Sequence, residues 1–143
     1  MENLEIEIKI KLSNKYGVDL NFGWYPIINS INPMPEKIEV FQQDYIEIID
    51  KAIKEIIRKV YNPQVLYTLI ELEGMETTNI DSCNFYYDGL ERMTTDIEGN
   101  FCIYSSHESS LTIGSREILT ELKREWRDYD KYKWTTPFYL LHN

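Results

Sequence analysis

The sequence predicts an α+β domain. One antiparallel β-sheet of about five to six strands, with a meander in the C-terminal half, carries two main helices, about residues 44–61 and 115–127, on one face. Three observations lead there. Leu4–Leu12 alternates apolar and charged residues. Two later segments repeat Ile and Leu at three- and four-residue spacing. Between them, short β-rich runs are separated by Gly, Asp and Asn. A length of 143 residues fits one domain over residues 1–143, large enough to fold without a metal or disulfide.

The elements follow in order. Leu4, Ile6, Ile8, Ile10 and Leu12 are separated by Glu5, Glu7, Lys9 and Lys11, so period two predicts a strand with one wet face. Residues 13–36 carry Pro26, Pro33 and Pro35 and read as a turn near Lys15–Gly17, a short strand through Val18–Trp24, then a loop. In the first main helix, Ile46, Ile49, Ile53, Ile56, Ile57 and Val60 form one stripe, Asp44 is the candidate cap, and Asn62–Pro63 ends it. Val65–Glu73 is apolar on both faces and predicts an interior strand beneath that helix. Asp88–Gly89 signals a hairpin, residues 96–100 another turn, and His107–Ser109 the tip of a last hairpin between residues 101–106 and 110–114. Ser115 is placed to cap the second main helix, whose stripe is Ile118, Leu119, Leu122 and Trp126. The aromatic tail (Tyr129, Tyr132, Trp134, Phe138, Tyr139) is expected to pack on the body.

Charge is the strongest global signal. The net charge is −9, and residues 61–114 set nine acidic groups against Arg92 alone. Such a segment repels phosphates, which argues against nucleic-acid binding, and favours a basic protein partner through long-range steering. No run is long and apolar enough to span a membrane, and the N-terminal run lacks the apolar core of a signal peptide, so a cytoplasmic location is expected. Scarce alanine with abundant Ile, Asn, Lys and Tyr points to an AT-rich bacterial genome. Cys83 and Cys102 read as two buried thiols, with a disulfide as the alternative. No glycine-rich phosphate loop, CxxC pair or metal-ligand spacing occurs, so no cofactor or metal is expected.

The stretch YSSHESSLTIGS, residues 104–115, raises the question of catalysis. Ser105, Ser106, His107, Glu108, Ser109 and Ser110 are neighbours in sequence, and neighbours on a strand point to opposite faces, so adjacency argues against a preformed triad. GxSxG is absent, and HESSL lacks the second histidine of HExxH. The serines are expected to satisfy turn backbone, with His107 and Glu108 at a loop tip. Paired carboxylates such as Asp88 and Asp96 have no diagnostic spacing. Taken together, Asp88, Glu91, Asp96, Glu98 and Glu108 with Tyr86, Tyr87, Tyr104 and His107 form a candidate partner-binding surface: aromatic anchors within an acidic rim.

The segment Y-x-x-G-L-E-x-M-x-T-D (Tyr86–Asp96), the strand F-C-I-Y-S-S-H-E (Phe101–Glu108), and the hairpin and helix ending at Trp126 resemble small immunity proteins of bacterial polymorphic-toxin and contact-dependent inhibition systems. The resemblance spans roughly residues 65–126. It implies a cytoplasmic, non-enzymatic protein that protects its host by binding one cognate toxin, with a nuclease as a fitting target. Two other classes stand beside it: a small-ligand-binding domain or enzyme with a pocket lined by Tyr and acidic side chains, and an adaptor dimerising through a strand edge. The pattern does not set the oligomeric state.

Overall fold

The computed structural model describes residues 2–18, 35–107 and 109–134. Its sheet has six strands: β1 (Ile38–Gln42), β2 (Leu66–Ile70), β3 (Gly74–Thr78), β4 (Arg92–Thr95), β5 (Cys102–Ser105) and β6 (Ser110–Gly114). Every pairing is antiparallel, in the spatial order β1-β6-β5-β4-β2-β3. β4, β5 and β6 form the expected meander, and β2 is the expected interior strand. The helices are α1 (Glu2–Tyr16), α2 (Ile46–Val60) and α3 (Arg116–Glu125). Among the described residues, no helix is long and apolar enough to cross a membrane.

α2 and α3 share one face of the sheet, as their stripes require. Ile49, Ile53, Ile56 and Ile57 of α2 and Ile118, Leu119 and Leu122 of α3 pack with Phe41, Leu66, Ile103, Leu111 and Ile113. Neither helix uses its expected side-chain cap. A single turn of 3₁₀ helix, Gln43–Tyr45, leads into α2 without an Asp44 cap, and the Ser115 hydroxyl lies 2.6 Å from Tyr61 OH instead of capping α3. The tail packs as far as it is described: Tyr129 and Trp126 meet Phe41 edge-on, and Tyr132 meets Tyr45. Phe138 and Tyr139 lie outside the described residues.

The N-terminal segment departs from expectation: residues 4–12 belong to α1, not to a strand. Leu4, Ile8, Leu12 and Tyr16 recur every four residues and so share one helical face. Ile8, Leu12 and Tyr16 are buried against Leu69, Met93, Cys102 and Tyr104 on the second face of the sheet, with Leu4 at the margin. Ile6 and Ile10, which a strand would have buried with them, stand about half exposed. Glu5 and Lys9 pair at 3.3 Å in the favourable i,i+4 order. Beyond them, Lys11 Nζ donates to Ile97 O at 2.8 Å, Lys15 Nζ to Glu98 O at 2.8 Å, and Tyr16 OH to Gly99 O at 3.1 Å. The C-terminal turns of α1 are thereby fixed to the β4–β5 connection. The sheet is covered on both faces, so the fold has three layers.

Two further expectations change. Asp88–Gly89 lies in the long connection between β3 and β4 and does not form a hairpin. The hairpin forms at Glu71–Glu73, with Glu73 N–H bonded to Ile70 O at 3.1 Å and Leu72 at φ 69°. The first strand of the sheet comes from Ile38–Gln42, a segment to which the sequence pattern assigns no strand. Of the proposed strand Val18–Trp24, only Val18 is described, and it is buried and non-helical.

Candidate functional site

At one end of the sheet, three of the expected contact residues meet in a buried polar cluster. Glu91 precedes β4 on the α1 side and is 1% exposed. Tyr104, its diagonal neighbour on β5, is fully buried and donates its phenol proton to Glu91 Oε2. His107, at the β5–β6 tip, places Nδ1 2.7 Å from Glu91 Oε1 with its ring half exposed. Burial pushes the Glu91 carboxyl above its ordinary range, while hydrogen bonds from Tyr104 and His107 pull it back down. Burial, then the Glu91 hydrogen bond and charge, push the Tyr104 phenol far up, so it remains a neutral donor.

The adjoining serines support the hairpin. Ser106 and Ser110 set their hydroxyls 2.6 Å apart, and Ser106 N–H donates to Ser110 O at 3.1 Å. Ser105, on the opposite face, donates to Phe85 O. A carboxylate on Nδ1 orients an imidazole as hydrolases require. However, the Ser106 and Ser110 hydroxyls are engaged with each other across the turn, and the Ser105 hydroxyl is engaged with the Phe85 carbonyl on the opposite face. The carboxylate on His107 Nδ1 is that of Glu91, sixteen residues away; the adjacent Glu108 lies outside the described residues.

The connection of residues 79–91 presents the exposed part of the site. Asn79 Oδ1 accepts from Asp81 N and Ser82 N in a local turn. Cys83 and Phe85 then enter the α2/α3 core. With Phe85 in that slot, Tyr86 and Tyr87 are left 40% and 36% exposed. Arg92 bridges Asp88 at 3.1 Å and Glu76 of β3 at 3.3 Å. Glu71 N–H bonds Glu91 O at 3.0 Å, which brings the β2–β3 tip, with Glu71, Glu73 and a 94% exposed Leu72, to the same end. One end of the sheet therefore carries exposed Leu72, Tyr86 and Tyr87 among Glu71, Glu73, Glu76 and Asp88, with Arg92 shared between two of the carboxylates. Glu71, Leu72, Glu73 and Glu76 were not among the expected site residues. Their shared position follows from the β2–β3 hairpin and the β2–β4 pairing.

Asp96 and Glu98 belong elsewhere. They lie beyond the far end of β4, roughly 16 Å along the strand direction from Glu91. Asp96 is buried, accepting from Asn100 N at 2.8 Å and Asn100 Nδ2 at 2.7 Å, which closes the turn. Glu98 offers its carbonyl to Lys15. The nine expected residues thus separate: Tyr86, Tyr87 and Asp88 on the surface; Glu91 and Tyr104 buried, with His107 bonded to them; Asp96 and Glu98 at the opposite end; Glu108 outside the described residues.

At that opposite end, Tyr61, Pro63, Gln64, Val65, Tyr67, Asp96 and Ile97 line a cleft of about 410 Å³. Cys83 and Cys102 are free and buried. Among the described residues, no group of three or more His, Cys, Asp or Glu side chains is arranged to hold a metal ion. Comparison with protein-family models, with curated proteins and with solved structures finds no match to this chain.

Proposed function

We propose that this chain is a non-enzymatic, acidic binding protein that acts as an immunity protein: it neutralises a cognate basic toxin, with a nuclease the fitting class, by direct binding. The observation that carries this reading is the acidic end of the sheet, where Leu72, Tyr86 and Tyr87 stand exposed among Glu71, Glu73, Glu76 and Asp88. Exposed aromatic and aliphatic anchors inside a charged rim are the elements of a protein interface. An enzyme that acts on nucleic acid must present a basic surface, and an acidic inhibitor occupies that surface by complementarity. Glu91 and Tyr104 support this surface from within and are not contact residues.

Co-expression with the product of the neighbouring gene tests the reading. The neighbour alone arrests growth, this chain restores it, and the two form a complex whose association slows as salt rises. A neighbour without toxicity, together with the absence of any neutralised basic protein, refutes it. One observation favours a second reading as a small-ligand-binding domain or enzyme: the cleft lined by Tyr61, Tyr67 and Asp96. A ligand that raises the melting temperature of the wild type but not of Tyr67→Ala supports that alternative.

A further inference from the structure

The two edges of the sheet are treated differently. At β1 the chain folds back on itself. Phe41 bridges antiparallel to Lys133, Trp134 N–H donates to Val40 O at 2.9 Å, and Gln42 Nε2 donates to Lys133 O at 2.9 Å. At the other edge, β3 pairs with β2 through five consecutive residues, and among the described residues no strand or bridge joins its outer side. Backbone N–H and C=O groups of a strand alternate in direction, so Gly74–Thr78 presents an outward row of donors and acceptors. The strand has no proline and its register is unbroken. Gly74, Glu76 and Thr77 are exposed, while Met75 and Thr78 are half-buried.

Charge selects the occupant. Glu71 and Glu73 flank the strand at the hairpin tip, Glu76 is its midpoint, and Asp88 joins it through Arg92. One guanidinium between two of these carboxylates leaves the edge negative. A second copy of this chain fits poorly. Two-fold antiparallel pairing of Gly74–Thr78 about its midpoint sets Glu76 opposite Glu76, and like charges directly opposite are destabilising. An extended basic segment fits well. Side chains alternate along a strand: Glu76 lies on the α2/α3 side, and Met75 on the α1 side, where it packs beside Leu69. The complementary strand therefore alternates basic and apolar residues.

We propose that β3 is the docking strand of this protein: it takes an extended basic segment of its partner by antiparallel strand addition, with a basic side chain opposite Glu76 and an apolar one opposite Met75. This rests on the binding-protein reading above and adds where the partner is held and by which groups. Backbone pairing supplies the register, and the alternating pattern supplies selectivity.

The probe is a capped peptide of alternating lysine and valine, about eight residues long, to span one strand. Its controls are the same peptide N-methylated at alternate amides on its pairing edge, and a glutamate–valine counterpart. Amide hydrogen exchange is followed on the full chain. At saturating lysine–valine peptide, exchange within Met75–Thr78 slows on the order of tenfold or more. The N-methylated and glutamate peptides, and the Glu73→Lys/Glu76→Lys protein with an unchanged circular dichroism spectrum, each lose at least that factor in affinity. Unchanged exchange at Met75–Thr78, or equal binding of the N-methylated peptide, overturns the proposal. A neutralised toxin that binds without slowing β3 exchange removes the docking strand and leaves the functional reading standing. Peptide addition at β3 with no toxin neutralised does the reverse.

Discussion

Tyr104→Phe removes the phenol that donates to Glu91. The ring is fully buried and phenylalanine fills nearly the same volume, so no large cavity opens. The change takes away the phenol proton donated to Glu91, whose carboxyl is 1% exposed and keeps its His107 contact at 2.7 Å. A hydrogen bond to a charged buried group contributes roughly 1.5–3 kcal/mol, which sets the expected loss at about 2 kcal/mol near neutral pH. For 143 residues the unfolding entropy near the midpoint is about 0.3 kcal/mol/K, so the melting temperature falls by roughly 7 °C. As pH falls through the raised Glu91 pKa, the carboxyl takes up a proton and the bond becomes neutral–neutral, about half as strong. The penalty therefore shrinks toward about 1 kcal/mol. Thermal and urea unfolding of wild type, Tyr104→Phe, Glu91→Gln and the double variant, at neutral and acidic pH, measure both quantities and their coupling. A Tyr104→Phe protein that melts within about 1.5 °C of wild type at neutral pH, a penalty that grows on acidification, or additive single effects would refute the reasoning.

The other expectations are as direct. Because burial raises the Glu91 pKa, its contribution to stability is fully present below the ordinary value of 4.5 and is lost as pH rises through the folded value. Wild type therefore loses stability relative to Glu91→Gln over that rise, and urea titrations across pH read the difference. Gly114→Ala places a Cβ 2.7 Å from Tyr16 Cε1 and 3.2 Å from the Lys37 carbonyl. The clash costs about 1–3 kcal/mol and speeds hydrogen exchange throughout α1. Leu72→Asn relieves a left-handed backbone at a side chain that is 94% exposed. It raises stability by about 0.5–1 kcal/mol while weakening partner binding, whereas unchanged binding would remove Leu72 from the interface. Burial pushes the thiols of Cys83 and Cys102 to about 11 and about 12, so a thiol reagent labels neither at neutral pH until denaturant is added.

Much of the fold is legible in the chain because its signals are local. The Ile46–Val60 stripe has a single period and a polar opposite face, and it forms α2. The Ser115–Trp126 stripe behaves in the same way. His107–Ser109 separates two strand-like runs and turns between them. Leu4–Leu12 misleads because apolar residues at every second position also fall at every fourth. Tyr16, continuing the series Leu4, Ile8 and Leu12, and the order of Glu5 and Glu7 before Lys11 and Lys15 were the available signs of a helix. Asp88–Gly89 carries good turn chemistry, yet Phe85 commits that connection to the core, and a leucine takes the left-handed position at the actual hairpin.

The charge segregation, the α+β class, the two amphipathic helices and the last hairpin were determined by the sequence itself, through hydrophobic period and turn chemistry acting over a few residues. The tertiary structure decided which of the expected contact residues, among those described, face water. Glu91 is buried because β5 and the β5–β6 tip bring Tyr104 and His107 to it; Asp96 is buried because it closes its own turn; Tyr86 and Tyr87 are exposed because Phe85 fills the slot beside them. It also decided that Lys133 and Trp134 cover β1, while among the described residues no strand or bridge joins the outer side of β3. Burial and edge pairing depend on which strands become neighbours, and those neighbours lie far apart along the chain.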